Sequence, residues 1–127
     1  MDTLEGKGAV VTGAASRIGR AIATAFIEAG ASVLLCDVNY RAVEVLARQL
    51  GDRAIGRFTD ISDERQVAAA LAAARATFGS LDIVVNCAAF GAVALGGGGV
   101  RIVGLAPGLV ETPSTRKKLE GSGAERG

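Results

Sequence analysis

Continuous apolar runs alternate along this chain with stretches whose apolar positions recur at helical spacing. Gly8-Ala9-Val10-Val11-Thr12 is apolar nearly throughout, as expected of a strand covered on both faces. Ile18, Ala21, Ile22, Ala25, Phe26 and Ala29 follow at i, i+3, i+4, i+7, i+8 and i+11, which predicts an amphipathic helix stopped by Gly30. Residues 31–36 (Ala-Ser-Val-Leu-Leu-Cys) read as a second strand. Ala42, Val43, Leu46, Ala47 and Leu50 line a second helix closed by Gly51, and residues 54–59 form a weaker third strand. Ser62 is the expected N-cap of a third helix, with Asp63 and Glu64 in its first turn, where the helix dipole favours carboxylates. That helix buries Val67, Ala70, Leu71, Ala74 and Phe78 and ends at Gly79; residues 81–85 are the fourth strand.

Strict alternation of strand and helix with short loops implies a parallel sheet joined by right-handed crossovers. The pattern breaks at residues 90–99, which carry no helical stripe and contain four consecutive glycines, Gly96 to Gly99. A last strand-like run, residues 100–105, leads into Pro107-Gly108. The fold class expected is α/β, a minimal Rossmann-like doubly wound parallel sheet of order 3-2-1-4, with one further strand whose place stays open. Residues 1–127 make a single domain, with 90–99 as a glycine-rich junction and 114–127 as a disordered polar tail. Arg116-Lys117-Lys118 reads as part of that solvated tail.

Composition narrows the function. At 127 residues the chain can bury a real core but is short for a complete dinucleotide-dependent enzyme. Half of it is apolar and only 4% aromatic, so the core rests on Ala, Val, Leu and Ile. Net charge of +1 supplies no field for nucleic acid. The absence of histidine removes the commonest general base and the commonest metal ligand together, and no metal is expected. Cys36 and Cys87 stand far apart and read as buried free thiols. The polar, acidic start and the lack of a long apolar run point to a cytoplasmic protein with no membrane partner.

The turn Thr12-Gly13-Ala14-Ala15-Ser16-Arg17-Ile18-Gly19 joins the first strand to the first helix. A dinucleotide pyrophosphate needs backbone N–H groups at a helix N-terminus and no side chain in the way. Gly13 allows the tight turn, and Gly19 allows close packing of the helix on the strand. Asp37, just after the second strand, lies close to the roughly 20-residue spacing at which a carboxylate meets the adenosine ribose hydroxyls. The same Asp-Val-Asn sequence is also good turn chemistry, so a purely local capping role stands beside the ribose role.

These residues resemble the short-chain dehydrogenase/reductase family. Residues 12–19 are similar to its Thr-Gly-x-x-x-Gly-x-Gly turn, and Asp60-Ile61 to its Asp-Val pair at the adenine ring. Asn86-Cys87-Ala88-Ala89 resembles its Asn-Asn-Ala-Gly motif, which borders the cofactor. Pro107-Gly108-Leu109-Val110-Glu111-Thr112 resembles its Pro-Gly-x-x-x-Thr segment, whose Thr contacts the nicotinamide carboxamide. The resemblance implies an NAD(P)-dependent oxidoreductase. Its cofactor contacts would be Gly13, Arg17, Ile18 and Gly19 at the pyrophosphate, Asp37 at the ribose, and Asp60 and Ile61 at the adenine. Asn86, Cys87 and Ala88 would lie nearby, and Thr112 at the nicotinamide. NAD is favoured over NADP because Asp37 disfavours a 2′-phosphate and Ser16 and Val38 fill the places where the family carries its basic residues.

The departures are as informative. Arg17 replaces the family's middle glycine and either offers its guanidinium to a phosphate or crowds the site. The family's chemistry needs a Ser and a Tyr-x-x-x-Lys pair, whose Lys lowers the tyrosine pKa so that the phenol exchanges a proton as hydride moves. Here the single tyrosine, Tyr40, is followed four residues later by Glu44, and no lysine lies between Lys7 and Lys117. Family members place two long helices, another strand and the whole catalytic set between the motifs that begin here at Asn86 and Pro107. An internal deletion is therefore expected, exposing the edge of the fourth strand unless residues 100–105 move in beside it. Such a chain is an oxidoreductase fold without its own catalytic residues. The alternative is a non-catalytic nucleotide-binding or interaction module, self-associating or pairing with a full-length relative through its uncovered sheet.

Overall fold

The computed structural model describes residues 3–87, together with the backbone of residues 101–106 and 109–110. Its elements are β1 (Gly8–Thr12), α1 (Arg17–Glu28), β2 (Ser32–Asp37), α2 (Tyr40–Leu50), β3 (Ala54–Phe58), α3 (Glu64–Phe78), β4 (Ile83–Asn86), β5 (Arg101–Ala106) and β6 (Leu109–Val110). They form one sheet of order β3-β2-β1-β4-β5-β6, parallel except for β6, which runs antiparallel to β5. The expected 3-2-1-4 order is present. The strand whose place was open is β5, which pairs with β4 from Ile83↔Arg101 to Asn86↔Gly104 and covers the edge that a deletion would expose. β6 was not foreseen.

The continuous apolar runs have a direct cause in the packing. Successive strand residues point to opposite faces, and both faces are covered. Ala9, Val11, Val33, Leu35 and Val85 meet Ala23 and Ile27 of α1 and Val43 and Leu46 of α2. Val10, Leu34, Cys36 and Val84 meet Ala70 and Ala74 of α3 on the other side. Full burial of a side chain such as Leu35 stabilises the fold by roughly 1.5–3 kcal/mol. Cys36 and Cys87 are both buried and free, each in the layer on a different face. Burial pushes the Cys36 thiol up to about 11.

The helices stop where their glycines predicted. Their starts are less regular. The N-cap of α3 is Asp63 rather than Ser62: Asp63 Oδ1 accepts the Arg65 N–H at 3.0 Å. Ser62 is occupied one residue earlier, where its N–H (3.0 Å) and hydroxyl (2.7 Å) both donate to Asp60 Oδ1. Two adjacent cap-competent residues compete, and the carboxylate at 60 draws Ser62 away. At the opposite end of the sheet, Asp82 ties β4 to β1. Its Oδ2 accepts the Gly8 N–H at 2.9 Å and the Ser80 hydroxyl at 2.8 Å, and its own N–H donates to Gly8 O at 2.8 Å. The Gly8 N–H first, and then the Ser80 hydroxyl, hold the Asp82 carboxyl below the usual carboxylate range.

Candidate functional site

The carboxyl ends of β1 to β4 lie together, since Thr12 is in register with both Cys36 and Asn86, and Asp37 with Phe58. The chain runs outward from β1 in one direction through β2 and β3 and in the other through β4. Strand order therefore reverses at β1/β4, the position at which open α/β sheets form a crevice.

The turn after β1 is held by a small set of hydrogen bonds. Ala14 N–H donates to Cys36 O (3.1 Å), Ala15 N–H to Asp37 Oδ2 (3.0 Å) and Ser16 N–H to Gly13 O (3.0 Å). Ser16 is the N-cap of α1: its hydroxyl oxygen accepts the Gly19 N–H at 3.0 Å and donates its own proton to Gly13 O at 2.7 Å. The Ser16 carbonyl accepts the Arg20 N–H at 2.9 Å. Of the four N–H groups a helix leaves open, those of Ser16 and Gly19 are thus taken, and the Arg20 bond is the first of the helix proper. The N–H groups of Arg17 and Ile18 have no acceptor among the described residues, and both residues are exposed. The opening turn of α1 contains two cations, Arg17 and Arg20, and no carboxylate.

Both glycines of the turn are required. Gly13 has φ +64°, a left-handed conformation that a side chain disfavours. At Gly19 a Cβ would run into the Gly13 carbonyl oxygen and lie 2.9 Å from Ala14 Cα. The close approach is therefore between the helix and the turn itself, rather than between helix and strand.

Asp37 fills a local turn role, with Asn39 as the N-cap of α2, and it is also bonded to the turn after β1. Its Oδ1 accepts the Asn39 N–H at 2.9 Å while Oδ2 holds Ala15. Asp60 follows β3, and its Ser62 bonds, the hydroxyl's first, hold its carboxyl below the ordinary value. Its N–H donates to Gln66 Oε1 at 2.8 Å, fastening the end of β3 to α3; Ile61 beside it is half-buried. Asn86 Oδ1 accepts the Thr12 hydroxyl at 2.7 Å, and the Cys87 N–H donates to Thr12 O at 3.0 Å. A groove of about 370 Å³ opens between α1 and α2 beside Ala15, bordered by Arg20, Asn39 and Arg41.

Gly13, Arg17, Ile18, Gly19, Asp37, Asp60, Ile61, Asn86 and Cys87 thus lie at or just beyond the carboxyl ends of β1 to β4. Ala88 and Thr112, and the junction at 90–99 and tail at 114–127, lie outside the described residues. Sequence reasoning missed the roles of two residues at the site. Ser16 had a readable signal, a cap-type residue one position before the helix. The bond from Thr12 to Asn86 had none, because the two partners are 74 residues apart along the chain. Tyr40 is an exposed residue at the start of α2, 45% accessible. Among the described residues no group of acidic, Cys or His side chains could hold a metal, and no helix is long and apolar enough to cross a membrane.

Comparison with known proteins gives a consistent picture. The short chain dehydrogenase family model matches residues 7–96. D-threitol dehydrogenase of Mycolicibacterium smegmatis is 49% identical over 88 residues, 67% of this chain and 34% of that protein. 3-Hydroxyacyl-CoA dehydrogenase type-2 of Drosophila melanogaster is 43% identical over 79 residues, 62% of this chain and 31% of that one. Among solved structures, 3-ketoacyl-(acyl-carrier-protein) reductase from Brucella melitensis, complexed with NADH, superposes with a TM-score of 0.66. It is 36% identical, over 93% of this chain and 44% of the reductase. The chain spans about a third of the length of the curated relatives it matches.

Proposed function

The chain belongs to the short-chain dehydrogenase family, and from that premise we propose that it is an NAD-binding module with no turnover of its own. The observation that carries the binding half is the pair of unaccepted N–H groups, Arg17 and Ile18, at the end of a helix whose first turn is cationic. Two guanidiniums at the positive end of a helix dipole are unfavourable by roughly 0.3–1 kcal/mol each, and a diphosphate bound there is attracted by both the dipole and the guanidiniums. The missing side chain at Gly19 supports the same reading, because it lets α1 seat directly against the turn and so fixes the helix N-terminus beside the carboxyl end of β1.

In this reading Gly13, Arg17, Ile18 and Gly19 hold the diphosphate, with Arg17 offering its guanidinium. Asp37, already oriented by Ala15 and Asn39, has lone pairs left for ribose hydroxyls. Asp60 and Ile61 border the adenine, Asn86 and Cys87 line the crevice floor, and Ala88 and Thr112 complete the set. Asp37 favours NAD over NADP, since its carboxylate repels a 2′-phosphate; Arg17, with Arg20 and Arg41 at the groove, is the support for NADP. NAD, when bound, supplies hydride transfer. The chain's own residues supply no partner for it: within these 127 residues no tyrosine is followed by a lysine four positions on. That absence is the support for a lack of turnover.

Two assays test the proposal. Calorimetric titration is expected to show NAD binding more tightly than NADP, and no binding of either at millimolar concentration refutes the binding reading. NADH consumption across a panel of carbonyl compounds is expected to stay at background. Robust turnover by the purified chain refutes the second half. Substrate class stays with the relatives.

A further inference from the structure

The stripe by which α2 meets the sheet is Val43, Leu46, Ala47 and Leu50. Val45 lies off that stripe and is 47% exposed, on a face shared with Arg41, Arg48 and Gln49. With Ala15, Ala42 and Leu46 it forms the apolar floor of the groove between α1 and α2. The two helices follow parallel strands, so both start at the carboxyl end of the sheet and the groove has two unlike ends. Arg20 in the first turn of α1 and Arg41 in the first turn of α2 stand at one end. Gln49, in the last turn of α2, stands at the other, and from Ala42 to Gln49 the helix rises about 10 Å.

The charge at the mouth has one sign. No carboxylate lines the groove. Among the described residues the one ion pair is Arg48 with Glu44, and the Arg20 and Arg41 guanidiniums have no hydrogen-bond acceptor. NAD brings neither of them a partner, since it lacks the 2′-phosphate that Asp37 disfavours. Cations beside low-dielectric walls draw an anion more strongly than cations in open water. An apolar floor running away from a cationic mouth matches a ligand that is charged at one end and hydrocarbon along its body.

We infer that the groove between α1 and α2 is a second binding site, for a small amphipathic anion. Its carboxylate or phosphate head pairs with Arg20 and Arg41, and its hydrocarbon body lies along Ala42 and Val45 toward Gln49. A volume of about 370 Å³ holds a short chain of this kind, at the small end of ligand sites. The site is separate from the cofactor crevice and does not depend on NAD binding.

The test follows the amide and methyl resonances of the labelled 127-residue chain during titration with octanoate, octyl phosphate, inorganic phosphate and the neutral analogue octanol. Octanoate and octyl phosphate are expected to shift Ala42, Val45 and Leu46 saturably, with octanol and inorganic phosphate at least about tenfold weaker. Arg20→Gln and Arg41→Gln should each weaken octanoate about fivefold or more and leave octanol unchanged. Val45→Gln, at an exposed helical position, should weaken octanoate and octanol alike. Octanol binding as tightly as octanoate, an unaltered affinity in the two arginine variants, or no saturable shift at the groove overturns the inference. Displacement of octanoate by NADP but not by NAD makes the groove an extension of the cofactor site and overturns it as well.

Discussion

Replacing Gly19 by alanine tests the turn where the fold and the proposed site share the same atoms. The new Cβ would meet the Gly13 carbonyl oxygen and stand 2.9 Å from Ala14 Cα, well inside the 3.4–4 Å of ordinary contact. Both obstacles are backbone and cannot rotate aside, so α1 must lift from the turn. Overpacking of this kind costs about 1–3 kcal/mol, and the better helix propensity of alanine returns at most about 1 kcal/mol. The expected net loss is about 1–2 kcal/mol, read as a fall of roughly 1 M in the urea midpoint at an m-value of about 1–2 kcal/mol/M. Lifting the helix also moves the Arg17 and Ile18 N–H groups, so NAD affinity falls at least about tenfold. Gly79→Ala is the matching control. Its φ of +83° gives a left-handed penalty of about 1–2 kcal/mol, with no atom within 4 Å of the added Cβ. Stability should fall similarly in both variants, and nucleotide affinity only in Gly19→Ala. A Gly19→Ala protein with wild-type stability and wild-type affinity would show that the helix does not sit against the turn as described.

Three further outcomes follow from the packing and the titrating groups. Leu35→Ala, at a position with no solvent exposure, should cost about 2–5 kcal/mol in chemical denaturation. The Asp82 carboxyl is held below its unfolded value, so its contribution is present above about pH 4 and disappears as pH falls through the depressed folded pKa. Asp82→Asn should therefore flatten the acid limb of the stability profile; an unchanged limb contradicts the β1–β4 tie. The Cys36 thiol is raised from 9.0 to about 11, so its contribution is complete below pH 9 and is lost as pH rises toward 11. Cys36→Ala should remove that alkaline loss, and in the native wild-type protein Cys36 should react with a thiol reagent far more slowly than after unfolding.

Much of this architecture is legible because a parallel sheet covered on both faces leaves a plain trace. Val10-Val11, Val33-Leu34-Leu35 and Val84-Val85 are unbroken apolar pairs and triplets because each member has a helix to meet. The positions of Gly13, Gly19 and Asp37 are legible for a related reason, since a tight turn, a close approach and a carboxylate that accepts two backbone N–H groups each demand a particular residue type. What the sequence conceals is pairing over distance. Residues 100–105 read as a strand, but nothing local says that it enters the slot beside β4, and a strand as short as Leu109–Val110 leaves no periodicity to read. The Thr12–Asn86 and Gly8–Asp82 bonds are hidden likewise, and the competition of Ser62 and Asp63 for one cap is decided by the carboxylate at Asp60.

The central claim is that the backbone at the start of α1 is the diphosphate site. Titration of NAD into the isotopically labelled chain, followed by amide resonances, reads that backbone directly. The largest shifts are expected at the Arg17, Ile18 and Gly19 amides, saturating together with those of Ala15 and Asp37. NAD binding that leaves the Arg17 and Ile18 amides unmoved would contradict it.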